Sequence, residues 1–243
     1  VAILIWGCVF CAIAALCIFL SSNYDREKRR YLILMESFAS LLLLMDAMAH
    51  IFSGYPRVPG SVMVCISSFL VFLLSDVFLL CFHIYVCVYL FSKKERRTLK
   101  RVKAGYVIAA AGAAFVVISQ FTHWYYYIDG DNCYHRAPLY IMSILLPAAG
   151  LLIDLTLLLQ YKKRVSRKLL FSMLSCVVLP AVAAAVQAFW YGMSLIEFSV
   201  GISMIIMFIV TMTELNQEMY QLISREGKIK ERLEIATILN KCI

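Results

Sequence analysis

The chain has 243 residues, of which 63% are hydrophobic and only 16% charged, with 23 Lys and Arg against 15 Asp and Glu for a formal net charge of +8. Soluble globular domains carry about 25% charged residues, so this composition excludes an ordinary soluble fold and makes the bilayer the solvent. The basic excess needs no nucleic-acid partner, because membrane topology and anionic lipid headgroups account for it.

The apolar residues fall into seven blocks close to the roughly 20 residues a helix needs to span a bilayer. The predicted spans are 1–20, 31–53, 62–91, 104–121, 139–160, 169–191 and 195–214. The expected fold is therefore all-α: an integral membrane seven-helix bundle. The chain opens on Val1 and closes within an unfinished helical pattern ending at Ile243, so it is expected to be part of a longer protein. Positively charged loops stay on the cytoplasmic side. The connections after spans one, three, five and seven hold 21 of the 23 Lys and Arg, and Arg57 and Arg136 are the two on the other side. This predicts an N-terminus outside, a C-terminus inside and a multi-pass protein of the cell membrane. Trp6, Trp124 and Trp190 fall near the predicted outer ends, where an amphipathic ring favours the headgroup level.

Span two carries Glu36, Asp46 and His50, the last two four residues apart and hence on one helix face. Span three, at 30 residues and about 45 Å, exceeds the roughly 30 Å hydrocarbon thickness and must tilt or protrude; it carries Asp76 and His83 on one face. Span four is rich in Gly and Ala, as is span six after Pro180, which lets helix backbones approach closely and predicts interior helices. Between spans four and five, aromatic residues flank Asp129-Gly130-Asp131-Asn132, a hairpin signal. Cys133 in this loop has two readings, a disulfide with Cys65 or a free thiol. Pro147 and Pro180 bend spans five and six, as passive shape or as hinges.

Intramembrane polar residues usually face the bundle interior. Sorted by depth, Asp46, His50, Gln120, Gln187 and Glu197 collect in the outer half, and with Trp124, Tyr125, Tyr126, Tyr127 and Trp190 nearby in sequence they either line a ligand pocket or make structural interhelical hydrogen bonds. Glu36, Asp76, His83 and Asp154 lie deeper, as a buried polar knot or a relay. No metal-ligand spacing, phosphate-binding loop or nucleophile triad is present, and neither a cofactor nor a metal is expected. A retinal-type Schiff base is excluded because no lysine lies inside a predicted span.

Phe208, Met212, Leu215, Met219, Leu222, Glu226, Ile229, Leu233 and Ala236 recur at alternating spacings of four and three. This is a heptad seam that begins in span seven and runs through the tail without proline. It predicts a 1–214 membrane domain, a 215–243 coiled-coil linker and a homodimer. An amphipathic tail lying on the membrane is the alternative.

The segment Thr122-His-Trp-Tyr-Tyr-Tyr-Ile-Asp129 with Tyr134-His135-Arg136, Leu152 to Asp154, Tyr191-Gly192 and the tail from Glu231 to Ile243 resemble the N-terminal seven-span sensor region of bacterial membrane signalling proteins, especially those of Firmicutes. In that family the region precedes GGDEF diguanylate cyclase or histidine kinase output domains. The resemblance implies an input module for a small-molecule or membrane-borne signal, with a cyclase-type output favoured. A small secondary transporter using the intramembrane acids is the competing reading, although no internal repeat of the usual kind is found.

Overall fold

The computed structural model describes residues 1–21, 25–55, 58–189 and 194–241, with the side chains of 227, 228 and 230–241 outside the description. The calls on Trp190, Tyr191-Gly192 and the Leu233 and Ala236 side chains lie outside the described residues. In chain order the elements are α1 (Ala2–Leu20), α2 (Arg26–Phe52), α3 (Val58–Leu90), α4 (Lys93–Thr98), α5 (Lys100–Thr122), β1 (Tyr126–Ile128), β2 (Tyr134–Arg136), α6 (Met142–Gln160), α7 (Arg167–Phe189) and α8 (Leu195–Lys241). Among the described residues seven helices, α1 to α3 and α5 to α8, are long and apolar enough to cross a membrane. The chain is thus an all-α bundle of the membrane type, with one short hairpin.

Two helices start earlier than apolar content alone suggests. Arg26–Tyr31 joins α2 because the Asp25 carboxylate accepts the Glu27 and Lys28 backbone N–H groups at 3.0 and 3.1 Å, satisfying donors that a first turn leaves open. At 33 residues, α3 is about 50 Å long. The basic stretch after it, expected as a loop, contains α4. A capping box closes that short helix: Ser92 N–H donates to Glu95 Oε2 at 2.8 Å, and Glu95 N–H donates to Ser92 Oγ at 3.4 Å.

The connections rich in Lys and Arg meet at one end of the bundle, here the basic end, and the hairpin lies at the other. Arg96 makes a two-pronged pair with Glu27 at 2.9 and 3.2 Å. Arg164 donates to the Leu90 carbonyl at 2.8 Å and to Glu95 at 3.1 Å. The Ser92 N–H and hydroxyl, together with Arg164, hold the Glu95 carboxyl below its ordinary range. These bonds tie the starts of α2 and α4 and the α6–α7 connection to one another.

Two glycines bring α5 close against α3. A Cβ added to Gly112 would lie 2.6 Å from Asp76 Oδ1, and one on Gly105 would lie 2.3 Å from the His83 ring. Both pairs are seven residues apart, two turns, so one antiparallel register brings each polar group onto a glycine. The expectation that spans four and six are interior helices needs correction. On α5 the buried stripe is Val102, Gly105, Ala109, Gly112, Val116 and Ser119, whereas Ala110 and Ala114 are exposed. Small side chains serve one interface, and the opposite face looks outward. On α7, Phe171, Val178 and Val182 are likewise exposed.

The α7–α8 pair is laced by small polar groups. Ser203 Oγ donates to the Ser175 carbonyl at 3.1 Å, Ser172 Oγ to Met207 Sδ at 3.4 Å, and Cys176 Sγ to the Ser203 carbonyl at 3.9 Å. At the basic end Ser166 hydrogen-bonds Glu214, and Lys168 reaches Gln217 at 3.3 Å. Leu43 sits against both Gly7 and Gly201, locking α1, α2 and α8 together.

Replacing Gly105 or Gly112 with Ala forces atoms into occupied space, and overpacking of this kind costs about 1–3 kcal/mol. Each variant is expected to melt several degrees lower than the parent in detergent. Gly130→Ala, in open space, is expected to match the parent in the same thermal scan.

Candidate functional site

A cavity of about 770 Å³ lies toward the hairpin end, walled by α2, α3, α5, α6, α7, α8 and the hairpin. Its walls are largely aliphatic and aromatic, including Leu151, Leu155, Val177, Phe72 and Tyr125. The carboxyls of Asp46, Asp76 and Glu197 line it, with residue exposures of 7%, 5% and 8%. Asp46 comes from the last two turns of α2, Asp76 from the middle of α3, and Glu197 from the first turn of α8.

Of the residues expected at an outer pocket, Asp46, His50, Gln187 and Glu197 line the cavity. His50 Nε2 lies 3.7 Å from Asp46 Oδ1 and 2.7 Å from Ser194 Oγ. Gln187 Oε1 accepts the Ile196 N–H at 2.9 Å and thereby caps α8. Among the described residues, Asp46 Oδ2 and Glu197 Oε2 are buried with no hydrogen-bond partner. Two expectations are corrected. Gln120 is turned to the Tyr126 hydroxyl and the Val116 carbonyl, 3.1 and 3.4 Å away. The Trp124 ring packs 6.2 Å from Phe115, and neither residue lines the cavity.

The deeper group does not form one network. His83 Nδ1 and Asp154 Oδ1 are 2.6 Å apart, and His83 Nε2 is 3.0 Å from the Val102 carbonyl. That carbonyl only accepts, so Nε2 carries a hydrogen, and one further proton is shared between Nδ1 and Asp154. Glu36 is fully buried elsewhere, near the Cys11 and Cys176 thiols, and neither carboxyl oxygen has a hydrogen-bond partner among the described residues. Asp76 belongs to the cavity. Counted along α3 it lies about 27 Å from the helix start, but its partner Gly112 is only about 15 Å from the end of α5. The long α3 overshoots its neighbours, and this makes depth counted along a single helix misleading.

The hairpin forms the outer wall. Tyr126–Ile128 pairs antiparallel with Tyr134–Arg136, as the Asp-Gly turn signal predicts. Asp129 Oδ1 accepts the Asp131 and Cys133 N–H groups at 3.0 and 2.9 Å, and Oδ2 lies 2.7 Å from His135 Nε2. The Cys133 N–H, then the bond to His135, hold the Asp129 carboxyl below its ordinary range. Asn132, at φ 60°, donates its side-chain amide to the Tyr55 carbonyl at 2.7 Å, and its own carbonyl accepts the Gly54 N–H. This fastens the turn to the end of α2. Inside, Tyr126 stacks on Phe72 at 5.4 Å and on Tyr134 at 5.5 Å. Cys65 and Cys133 are free thiols, so of the two readings the structure has no disulfide.

Tyr125 lines the cavity as expected, Tyr126 and Tyr127 do not, and Tyr134, Arg136 and Tyr140 line it without a pocket assignment from the sequence. Their shared signal was the aromatic outer loop itself, whose inward face becomes visible only once the hairpin register is set. Arg136 lies over the Tyr140 ring at 4.5 Å and donates to the Gln187 carbonyl at 3.2 Å. Among the described residues no group of three or more His, Cys, Asp or Glu has a metal-holding arrangement.

Comparison with family models, with curated proteins and with solved structures finds no match for this chain.

Because the Asp129 pKa is depressed in the folded turn, its contribution to stability is present above the ordinary value of about 3.9 and is lost as pH falls through the lower folded value. Hydrogen exchange corrected for intrinsic rates is expected to show the Asp131 and Cys133 amides still protected at about pH 4 and deprotected only as pH falls further, through the lower folded value, while the bundle stays protected. Asp129→Ala is expected to show the same deprotection at neutral pH.

Proposed function

We propose that this chain is the membrane-embedded input module of a bacterial signal-transduction protein, in which occupancy of the cavity is relayed by α8 to an output domain in the cytoplasm. The observation that carries the reading is continuity. Glu197, a cavity residue, and Lys241 belong to one unbroken 47-residue helix about 70 Å long. A rigid rod with one end in a cavity and the other in an exposed tail suits a relay, whereas transporters characteristically break helices at the midplane.

The orientation places the hairpin outside and the basic end in the cytoplasm of a bacterial cell, following the positive-inside rule. Residues 1–214 act as the sensor and 215–243 as the signalling linker. The resemblance to sensor regions that precede diguanylate cyclases favours that output over a histidine kinase. The ligand is a small molecule arriving from outside or from the bilayer.

The dimer uses the lower part of the heptad seam. Phe208 and Met212 pack on the chain's own core, and Leu215 faces a small recess beside Asp25, Lys28 and Tyr89. Leu222 and Ile229 are 58% and 57% exposed, and Met219 is 37% exposed, which gives a second copy a surface to cover.

A photo-cross-linking residue placed singly at Met219, Leu222 or Ile229 in native membranes is expected to join two protomers, with little product from Asn216 or Tyr220. Cross-linking confined to Asn216 and Tyr220 would reverse the seam, and none at any position would remove the dimer.

A further inference from the structure

We infer that the cavity's ligand is a hydrophobic amine, held by its ammonium group between Asp46 and Glu197 with its hydrocarbon body on α6 and α7. This deepens the sensor reading and rests on it only for the consequence of binding, not for binding itself.

The argument starts from unmet hydrogen-bonding capacity. Buried polar atoms nearly always have partners, and the exceptions call for an explanation. Among the described residues the buried carboxyl oxygens without a partner are both of Glu36, Asp46 Oδ2, Asp154 Oδ2 and Glu197 Oε2; of these four acids Asp46 and Glu197 line the cavity, with the residues 7% and 8% exposed. Asp46 is near enough for its charge to act on the Glu197 carboxyl. As carboxylates the Asp46 and Glu197 oxygens both accept, so the group that completes them is a donor, and one that carries positive charge favours the ionised form of both acids. A primary ammonium has three donors and a full charge, and its bonds to carboxylates belong to the stronger charge-assisted class.

The rest of the lining points the same way. The charged and titratable side chains facing the space are Asp46, Asp76, Glu197, His50, Arg136 and the thiol and phenols of the hairpin region. Arg136 is already engaged by the Tyr140 face and the Gln187 carbonyl, and His50 by Ser194. Pro147 lines the cavity and has no N–H to give the carbonyl of Ser143, another lining residue. The site is therefore rich in acceptors. A bare metal ion fits poorly, since the described residues hold no metal-type cluster and 770 Å³ far exceeds an ion. That volume, walled by Leu151, Leu155 and Val177, accommodates a ring or short alkyl chain of the size usual for ligand pockets.

Phenethylamine, 2-phenylethanol and phenylacetate share a body and differ in the head, as cation, neutral and anion. Binding to the intact chain in lipid nanodiscs is measured by calorimetry and by thermal shift. Phenethylamine is expected to bind at least about tenfold more tightly than either comparator, the loss expected when a charge-assisted bond is missing. Asp46→Asn and Glu197→Gln, which keep shape, are each expected to lower its affinity by about tenfold or more. Glu36→Gln, at a buried acid away from the cavity, is expected to leave it unchanged. Tighter binding of phenylacetate or phenylethanol, no binding of phenethylamine, or equal binding to the Asp46→Asn/Glu197→Gln double variant would each overturn the assignment. Since the comparators act on the unaltered chain, a variant that misfolds does not decide the outcome. If phenethylamine binds as expected but leaves tail cross-linking unchanged, the amine site stands and the relay fails. If a different ligand class changes the cross-linking, the relay stands and the amine assignment fails.

Discussion

The contact of two polar side chains with two glycines fixes the geometry on which the rest of the bundle depends. Asp76 and His83 project from α3 into the space left by Gly112 and Gly105 on α5. Lipid offers no hydrophobic drive for helices to associate, so close backbone approach and interhelical hydrogen bonds have to supply it. Here one register supplies both. It sets His83 Nε2 3.0 Å from the Val102 carbonyl at one step, and two turns away it leaves the Asp76 carboxyl facing open space. The same helix pins α6, because His83 meets Asp154 and Leu79 lies against Gly150, a parallel register with a constant offset of 71 residues. With α3 held on both sides at this level, the larger cavity lies toward the hairpin.

The cavity and the tail are linked by a second rigid unit. Bonds from Ser175, Ser172 and Cys176 to α8, with Gln187 capping its start and Ser166 and Lys168 meeting it near the basic end, join α7 to α8 along their shared length. In the proposed relay these bonds are what would pass a displacement of Pro180, in the cavity wall, to Glu197 and the rest of α8. The bonds are short-range and small, each worth about 0.6 kcal/mol in membrane proteins. Their value lies in number and direction, since they resist sliding of one helix on the other while leaving the pair free to tilt as a body.

Much of this was legible in the sequence. Span count came from apolar block length, and the hairpin from an Asp-Gly turn between aromatic runs. Asp46, His50, Gln187 and Glu197 were readable as a group because each lies within about two turns of a helix end on the same side. The misses have physical causes. Ser92 and Glu95 carried a capping-box signature, yet the density of cations around them reads as a solvated loop. Asp76 was misplaced because α3 is longer than the bundle is deep. Gln120 and Trp124 lie at the right depth but on the wrong face of α5 and its exit, and a single turn of helical phase decides which side of a wall a residue occupies.

The two kinds of buried acid in this bundle differ in what surrounds them, and that contrast separates structure from function. Asp154 has a histidine at 2.6 Å, and that histidine has a carbonyl on its other nitrogen and a glycine against its ring. The fold fills Oδ1 of Asp154, while its Oδ2 and both oxygens of Glu36 have no partner among the described residues, and neither of these acids lines the cavity. Asp46 and Glu197 come from near helix ends, line the cavity, and each keeps an oxygen without a protein donor among the described residues. Leaving such acceptors empty costs free energy that a well-packed apolar pair would avoid. What sets Asp46 and Glu197 apart from Glu36 and Asp154 is therefore not the unpartnered oxygen but its place, on residues that line a cavity of about 770 Å³ where a ligand's donors can reach it.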